Sequence, residues 1–314
     1  MGALKCATRS GSEIMLPHAA VDGFRSRVLG GVLDRGDDGY DRARVVFNAM
    51  IDRLPALIVQ CAGVADVREA VMFAREHNLL VSIRGGGHGV TGNAVCNDGL
   101  VIDLSRMRSV RADPVTQTAR AEGGATWGDF DRETQAFGLA STGGIVPTTG
   151  IAGLTLGGGI GYLNRKYGLA CDNLISADVV TADGRVLKAS AEDNADLFWA
   201  LRGGGGNFGV VTSLEYRVHP VGPVLGGELI FPLDRAKETL RFYRDWSLAA
   251  PDEVRADASL VSGPAGPAAP SAVRCSGRRH HWSLSVRPHP KPANGGPRAG
   301  LLSLLEERVL PLVQ

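Results

Sequence analysis

The sequence has few cysteines, no marked excess of charge and no long apolar run. The five cysteines show no CxxC spacing, so the sequence predicts reduced thiols in a cytoplasmic protein and neither a zinc site nor a disulfide framework. The 34 basic and 33 acidic residues nearly cancel, which argues against nucleic acid or a membrane surface as a partner. No apolar run approaches the roughly 18 residues that cross a bilayer. Residues 1–6 lack the apolar core of a signal peptide.

Glycine is the residue in excess. Many of the 42 glycines lie in three clusters, and the first belongs to the segment VSIRGGGHGVTG at residues 81–92. A short apolar strand runs there into a loop whose glycines can reach positive φ and bring bare N–H groups close to a ligand. Successive N–H groups of this kind hold a pyrophosphate. A loop that only cradles phosphate needs no imidazole, so we expect chemistry at His88.

The apolar pattern predicts an α+β fold. Strands are predicted at residues 55–60, 79–83, 100–104, 118–121 and 210–218. Helices are predicted at residues 64–78, 126–137 and 193–201, the last capped by Asp193. A hairpin is predicted over residues 177–189, with a type I′ turn at Asp183-Gly184. Antiparallel hairpins of this kind do not fit a simple βαβ repeat.

The composition changes near residue 261. Residues 261–314 contain no aspartate and are rich in proline and arginine, a composition that does not bury enough apolar surface to offset its ordering entropy. We expect a poorly ordered tail or a sequence outside its ancestral reading frame. A basic arm for an acidic partner is the weaker alternative.

A nicotinamide-binding Rossmann site is one alternative for the first glycine loop. Residues 87–92 fit GxGxxG, and Asp113 follows about 20 residues later. A Rossmann loop opens a helix, however, whereas the segment CNDGLVIDLS that follows is strand-like. The glycine clusters at residues 85–92, 141–161 and 203–206 instead predict a longer ligand that is held from several sides.

Residues 50–260 resemble a family of flavin-dependent oxidases. The resemblance rests on four motifs in a fixed order: SIRGGGHGVTG at 82–92, PTTGIAG leading into LGGGIG at 147–161, YGLACDN at 167–173, and WALRGGGGNFGVVT at 199–212. The family is the vanillyl-alcohol-oxidase/PCMH superfamily in its berberine-bridge-enzyme-like branch, which includes bacterial 6-hydroxynicotine and oligosaccharide oxidases.

The resemblance implies a domain organisation and a cofactor. An N-terminal segment (1–50) would precede a PCMH-type, two-subdomain FAD-binding domain (51–222). The start of an incomplete α+β substrate domain (223–260) and the atypical tail (261–314) would follow. FAD would be bound covalently through His88. The implied FAD-binding residues are Arg84, Gly85, Gly86, Gly87, His88, Gly89, Gly92, Gly144, Pro147, Thr148, Thr149, Gly150, Gly153, Gly157, Gly158, Gly161, Asn207, Gly209, Val210 and Val211.

The resemblance also implies an oxidase. A hydride would leave a C–H beside a hydroxyl or amine of a small-molecule substrate, and O2 would be the acceptor, giving H2O2. Gly144 falls where a small residue admits oxygen. Bicovalent members carry a cysteine where this chain has Val146, so a single covalent bond is expected.

Several alternatives stay open at this point. The family's closing segment, which carries its catalytic tyrosine, has no counterpart in residues 261–314, so no catalytic base is identified. The chain could therefore be a truncated or frame-shifted remnant that binds flavin without turnover. Tyr162 and Tyr167 could face the flavin or pack in the core, and Arg84 and Arg202 could pair with phosphate or form ordinary salt bridges.

Overall fold

The computed structural model describes residues 2–222, 224, 227–262 and 280–288. The chain divides into two compact units, Met1–Pro220 and Val221–Gln314. The strands of the first unit are β1 Ala3–Ala7, β2 Glu13–Pro17, β3 Gly31–Leu33, β4 Leu57–Gln60, β5 Val81–Arg84, β6 Leu100–Asp103, β7 Val110–Asp113, β8 Thr118–Glu122, β9 Leu139–Ala140, β10 Leu174–Val180, β11 Val186–Ser190, β12 Val210–Arg217 and β13 His219–Pro220. Its α-helices are α1 His18–Arg25, α2 Tyr40–Arg44, α3 Val64–Glu76, α4 Trp127–Gln135, α5 Ile151–Leu156, α6 Asn164–Tyr167 and α7 Ala195–Leu201.

A four-stranded sheet in the order β3-β4-β6-β5 forms the first layer. β4, β6 and β5 are parallel, and β3 is antiparallel to β4. Central strands of a parallel sheet are covered on both faces, which explains the unbroken apolar runs of β4 and β6. Phe24 of α1 and Phe73 of α3 stack at 4.1 Å in the core that covers one face. Tyr40 of α2 belongs to the core on Ile58 and Val101. Elements before residue 50 therefore contribute to the core of Phe24 and Phe73 and to the core of Tyr40, Ile58 and Val101.

A five-stranded antiparallel sheet in the order β11-β10-β12-β8-β7 forms the second layer. Trp127 and Phe130 of α4 pack edge-to-face against Tyr216 of β12 in its core. Arg120 of β8 forms ion pairs with Asp178 and Glu215, both at 2.9 Å. Apolar and charged residues thus alternate along β8, as expected for a sheet with one buried face.

The second unit contains β14 Gly227–Pro232, α8 Ala236–Ala249, β15 Val254–Ser262 and β16 His280–Pro288. Its strands form an antiparallel sheet in the order β14-β16-β15. Phe231 and Val254 are buried, with Tyr243 and Trp246 of α8 packed against them. The Tyr243 hydroxyl donates to the Ala256 carbonyl at 2.8 Å, which fixes α8 to β15.

The predicted type I′ turn at Asp183-Gly184 is wrong. That turn requires positive φ at both central residues, and of these two only Gly184 has it, at 80°. The loop is longer, because the Thr181 N–H donates to the Arg185 carbonyl at 2.9 Å. The Asp183 carboxylate accepts from the Thr181 hydroxyl and from Arg185, and these bonds lower its pKa to about 2. The Asp183 carboxylate is thus bonded within its own turn.

The predicted cap of α7 is also wrong. The helix begins at Ala195, and its N-cap is Asn194 in the left-handed region at φ 49°. The Asp193 carboxylate instead pairs with Lys188 at 3.0 Å. The side chain that the sequence pattern assigns to the helix therefore pairs with β11, the strand before the loop.

Part of the predicted poorly ordered tail is a strand. Residues 280–288 form β16, the central strand of the second unit's sheet. The sequence HHWSLSVRP alternates Trp282, Leu284 and Val286 with polar residues, which is a strand pattern. The proline-rich and basic composition around it obscured that pattern. Residues 263–279 and 289–314 lie outside the described residues.

Candidate cofactor site

The first glycine loop leaves the carboxyl end of β5, beside the parallel strand β6. Ligands of open α/β sheets bind beyond the carboxyl ends of the strands. Residues 85–99, which join the two strands, contain no helix. A Rossmann site places the pyrophosphate at the N-terminus of a helix, so the nicotinamide alternative does not fit this loop.

The backbone of this loop offers a run of unused donors. Within the described part of the chain, no hydrogen bond uses an N–H of residues 86–91. Gly87 has φ 64°, a value that side chains other than glycine rarely adopt. Bare N–H groups in succession form a concave anion site. The loop therefore fits a pyrophosphate.

The second glycine cluster lies directly against the first. A Cβ on Gly86 would lie 2.5 Å from the Gly150 Cα, and one on Gly85 would lie 3.0 Å from the Gly123 carbonyl oxygen. The Ile151 N–H donates to the Ala125 carbonyl at 3.0 Å, and the Trp127 N–H donates to that of Thr149 at 2.9 Å. The contact between Gly86 and Gly150 places the start of α5 beside the loop that bears His88, and the two hydrogen bonds hold it in that position.

His88 is held from two sides. Its Nε2 lies 3.2 Å from the Thr148 hydroxyl oxygen, which joins the two predicted flavin motifs. The Phe47 ring stacks on the imidazole, with the ring centroids 3.8 Å apart and the planes 16° apart. The histidine is partly exposed, so its ring is fixed and still accessible.

A strap formed by residues 43–53 runs along the first glycine loop. The Phe47 N–H donates to the Gly87 carbonyl at 3.0 Å, and the Asn48 side-chain amide donates to the Val90 carbonyl at 2.8 Å. Arg53 donates to the Gly92 carbonyl at 2.9 Å. The sequence analysis assigned these residues no role at the site, because no motif or periodicity marks them.

Polar atoms without partners surround the second cluster. Three buried polar groups form no hydrogen bond with any described residue: the hydroxyls of Ser141 and Thr142 and the indole N–H of Trp127. A Cβ on Gly143 would lie 2.6 Å from the Trp127 Cδ2, and one on Gly144 would lie 3.0 Å from its Cδ1. Buried polar groups normally have a partner. These three donors therefore fit a polar ligand beside residues 143–144, and the sequence analysis did not single them out.

The third glycine cluster is attached to the second. The Gly205 N–H donates to the Leu156 carbonyl at 2.9 Å at the end of α5. Arg202 donates to the Cys171 carbonyl at 3.0 Å and lies 3.6 Å from the Asp172 carboxylate. Arg202 thus forms ordinary protein contacts. The structure brings all three glycine clusters together through these bonds.

The other predicted site residues differ in their surroundings. Val210 and Val211 are 3% exposed and belong to the two large cores, so only their backbone could contact a ligand. Arg84 donates to the Ala43 carbonyl, and its Nε lies 4.0 Å from the Asp103 carboxylate. Tyr167 stacks on His219 at 3.8 Å. The predicted residues that lie exposed at the surface are Gly89, Pro147, Thr148, Gly153, Gly157 and Asn207. Those with intermediate or low exposure are Gly92, Thr149, Gly158, Gly161 and Gly209.

The described residues contain neither a candidate metal site nor a candidate membrane-spanning helix. Across residues 2–222, 224, 227–262 and 280–288, no group of three histidine, cysteine or acidic side chains could hold a metal ion. In the same residues, no helix is both long enough and apolar enough to cross a membrane.

Comparison with protein families matches residues 55–190 to an FAD binding domain. The chain is 41% identical over 218 residues to FAD-linked oxidoreductase pgmH from Aspergillus terreus, covering 68% of this chain and 44% of that one. The chain thus spans about half the length of the curated relatives that it matches.

Solved structures show the same fold. 6-Hydroxy-D-nicotine oxidase from Arthrobacter nicotinovorans is similar with a TM-score of 0.78 at 31% identity, covering 90% of this chain and 59% of that one. BBE-like 1 from Physcomitrella patens has a TM-score of 0.77 at 26% identity, covering 91% and 58%.

Proposed function

Because residues 55–190 match an FAD binding domain and the chain is similar to FAD-linked oxidoreductases over about half of their length, we propose that it is a berberine-bridge-enzyme-like, FAD-dependent oxidase. The loop of unused N–H donors around His88, with the second glycine cluster packed against it, carries the proposal. When bound, FAD supplies the redox chemistry: it accepts a hydride from the substrate, and O2 reoxidises it to give H2O2.

The chain's own residues have separate tasks in this proposal. The backbone of residues 86–91 binds the pyrophosphate, because its N–H groups have no partner in the described chain. The buried hydroxyls of Ser141 and Thr142 donate to polar atoms of the cofactor. Val90 is 70% exposed, and such apolar surface beside the site would be covered by a bound aromatic ring system.

We further propose that one covalent bond joins His88 to the 8α-methyl carbon of the flavin. The support is that His88 is held beside the cofactor loop by Thr148, whereas Val146 stands where a second attachment would require cysteine. Cys171 does not replace it, because this thiol is buried and its burial raises its pKa. Formation of the bond is a two-electron oxidation for which O2 is the acceptor.

The substrate is proposed to be a small molecule with a C–H beside a hydroxyl or an amine, and a cytoplasmic location is proposed with it. The location is supported by four cysteines that are free thiols, Cys6, Cys61, Cys96 and Cys171. Support for the reaction class comes from the family.

The test is a visible spectrum of the purified chain before and after acid precipitation, with His88→Ala beside it. His18→Ala is the matched control, because His18 is exposed and lies outside the site. We expect a flavin band in all three proteins and flavin retained in the precipitate of the wild type and of His18→Ala only. A colourless wild type contradicts the proposal. Flavin retained by His88→Ala contradicts the attachment site.

Turnover is tested separately with the flavin-loaded chain. Reduction of the flavin by alcohols, sugars or amines without air, followed by H2O2 release when air is admitted, supports the oxidase. A loaded chain that no such substrate reduces supports the alternative of a flavin-binding remnant.

A further inference from the structure

Phe47 combines high exposure with a close ring contact. Its side chain is 63% exposed, and it belongs to none of the hydrophobic cores of the described residues. Its ring nevertheless stacks on His88 with centroids 3.8 Å apart and planes 16° apart. A side chain that buries so little of its own surface contributes little to folding through the hydrophobic effect. The stack therefore calls for an explanation other than core packing.

The strap holds this ring in a fixed place relative to the loop. The backbone N–H of Phe47 donates to the Gly87 carbonyl at 3.0 Å, one residue before His88. The next residue, Asn48, donates through its side chain to Val90, two residues after His88. A phenylalanine side chain has only two rotatable bonds, so anchoring its backbone on both sides of the histidine largely fixes the ring.

Phe47 and Thr148 restrict the imidazole in complementary ways. Stacking on Phe47 fixes the plane of the ring, and the contact between Nε2 and the Thr148 hydroxyl fixes its rotation within that plane. The other nitrogen, Nδ1, has no hydrogen-bond partner among the described residues. A nucleophile reacts faster when its orientation is set in advance.

We propose that Phe47 is a positioning residue for the covalent attachment of FAD to His88. The inference rests on the proposed function. The bond formed joins an imidazole nitrogen to the 8α-carbon. The imidazole N–H and one methyl C–H each lose a proton, and the two electrons go to O2, which takes up both protons to become H2O2. Phe47 acts through His88 by holding the imidazole plane, so its loss slows attachment without removing the binding loop.

The first experiment observes the stack without any cofactor. Chain expressed under riboflavin limitation is compared by NMR as wild type, Phe47→Leu, Phe47→Tyr and Met50→Ala. Met50 lies in the same strap and is 90% exposed, which makes it the matched control. The ring current of Phe47 shifts the imidazole protons of His88 upfield, and only Phe47→Leu is expected to remove that shift. An unchanged His88 signal in Phe47→Leu overturns the proposal.

The second experiment measures the rate of attachment. FAD is added to the same four proteins in air, and samples are acid-precipitated over time and scored for flavin fluorescence in a denaturing gel. Reversible FAD binding is measured in parallel by flavin fluorescence quenching. We expect Phe47→Leu to attach FAD roughly tenfold or more slowly while still binding it reversibly. Phe47→Tyr and Met50→Ala should attach it at the wild-type rate.

The outcomes separate the two proposals. Equal attachment rates in Phe47→Leu and the wild type overturn the role of Phe47 and leave the proposed function intact. A wild type that binds FAD only reversibly overturns the covalent bond and the role of Phe47 together. A Phe47→Leu protein that loses reversible binding as well shows a role in folding of the loop and overturns positioning.

Discussion

Gly86 and Gly150 meet backbone to backbone, and neither position has room for a side chain. A Cβ on Gly86 would lie 2.5 Å from the Gly150 Cα, and one on Gly150 would lie 2.7 Å from the Gly86 Cα. The two residues belong to different motifs, so this contact joins the loop that carries His88 to the start of α5. Both partners of the contact are backbone atoms, which cannot rotate away as a flexible side chain does.

Gly86→Ala should therefore separate the two loops. We expect the free energy of unfolding to fall by about 1–3 kcal/mol from overpacking, and FAD retention to fall with it. Urea denaturation and flavin absorbance measure the two effects. Gly63→Ala is the control, since Gly63 has extended backbone at φ −172° and no atom within 4 Å of an added Cβ. A Gly86→Ala protein as stable as Gly63→Ala would contradict the close approach.

Asp66 is a buried carboxylate that organises the first unit. It is 3% exposed and accepts from the N–H groups of Leu29, Gly30 and Ala62, each at 2.9 Å. Asp66→Ala leaves these donors without a partner, which should cost roughly 3 kcal/mol or more of unfolding free energy. Asp66→Asn keeps one acceptor oxygen and should cost less.

The control for Asp66 is Asp22→Ala, whose side chain is 69% exposed in a 3.5 Å ion pair. Exposed pairs contribute about 0–1 kcal/mol, so this variant should unfold near the wild-type urea midpoint. If Asp66→Ala also unfolds there, the three bonds contribute nothing to stability.

The hydroxyls of Thr155 and Tyr216 form a 2.7 Å hydrogen bond inside the core. Tyr216→Phe and Thr155→Val each leave one buried hydroxyl unpartnered, which should cost about 1–3 kcal/mol in each single variant. The double variant removes both polar groups, so its loss should be smaller than the sum of the two. Strict additivity in urea denaturation would show that the two groups do not interact.

The buried thiols predict a loss of stability at alkaline pH. Burial raises the pKa of the Cys6 thiol from 9.0 to about 11, and it raises the pKa of Cys61 as well. Above about pH 9 the unfolded chain loses thiol protons that the folded chain keeps. The free energy of unfolding is therefore undiminished below about pH 9 and falls as the pH rises above it. Each thiol contributes a slope of at most about 1.4 kcal/mol per pH unit.

Cys6→Ala should make that slope shallower between pH 9 and pH 11. Urea denaturation under reducing conditions across this range measures it. The slope is compared between the two proteins because the substitution also removes packing contacts. Equal slopes would mean that Cys6 ionises alike in the folded and unfolded chains.

The sequence was sufficient for elements whose signal is local. The unbroken apolar run of β4 and the helical spacing of α3 predicted both elements within a few residues, and glycine density marked three clusters that the structure brings into contact. Phe47 could not be found this way, because its contact with His88 depends on how residues 43–53 fold back over the loop. Ser141 and Thr142 are similar: only their burial without partners marks them. Asp193 is not the cap because α7 begins at Ala195 with Asn194 as its N-cap, and the Asp193 carboxylate pairs with Lys188 of the preceding strand.

The unused N–H groups of residues 86–91 have a consequence for how much folded protein a cell contains. A ligand that binds these groups only in the folded chain stabilises it by mass action, by about 2.7 kcal/mol when its concentration is a hundred times its dissociation constant. Under reversible binding, scarcity of FAD would lower the folded fraction. Attachment through His88 would remove that dependence, because a cofactor held by a bond does not dissociate on dilution. The availability of FAD when a chain is made would then decide whether that chain gains this stabilisation permanently.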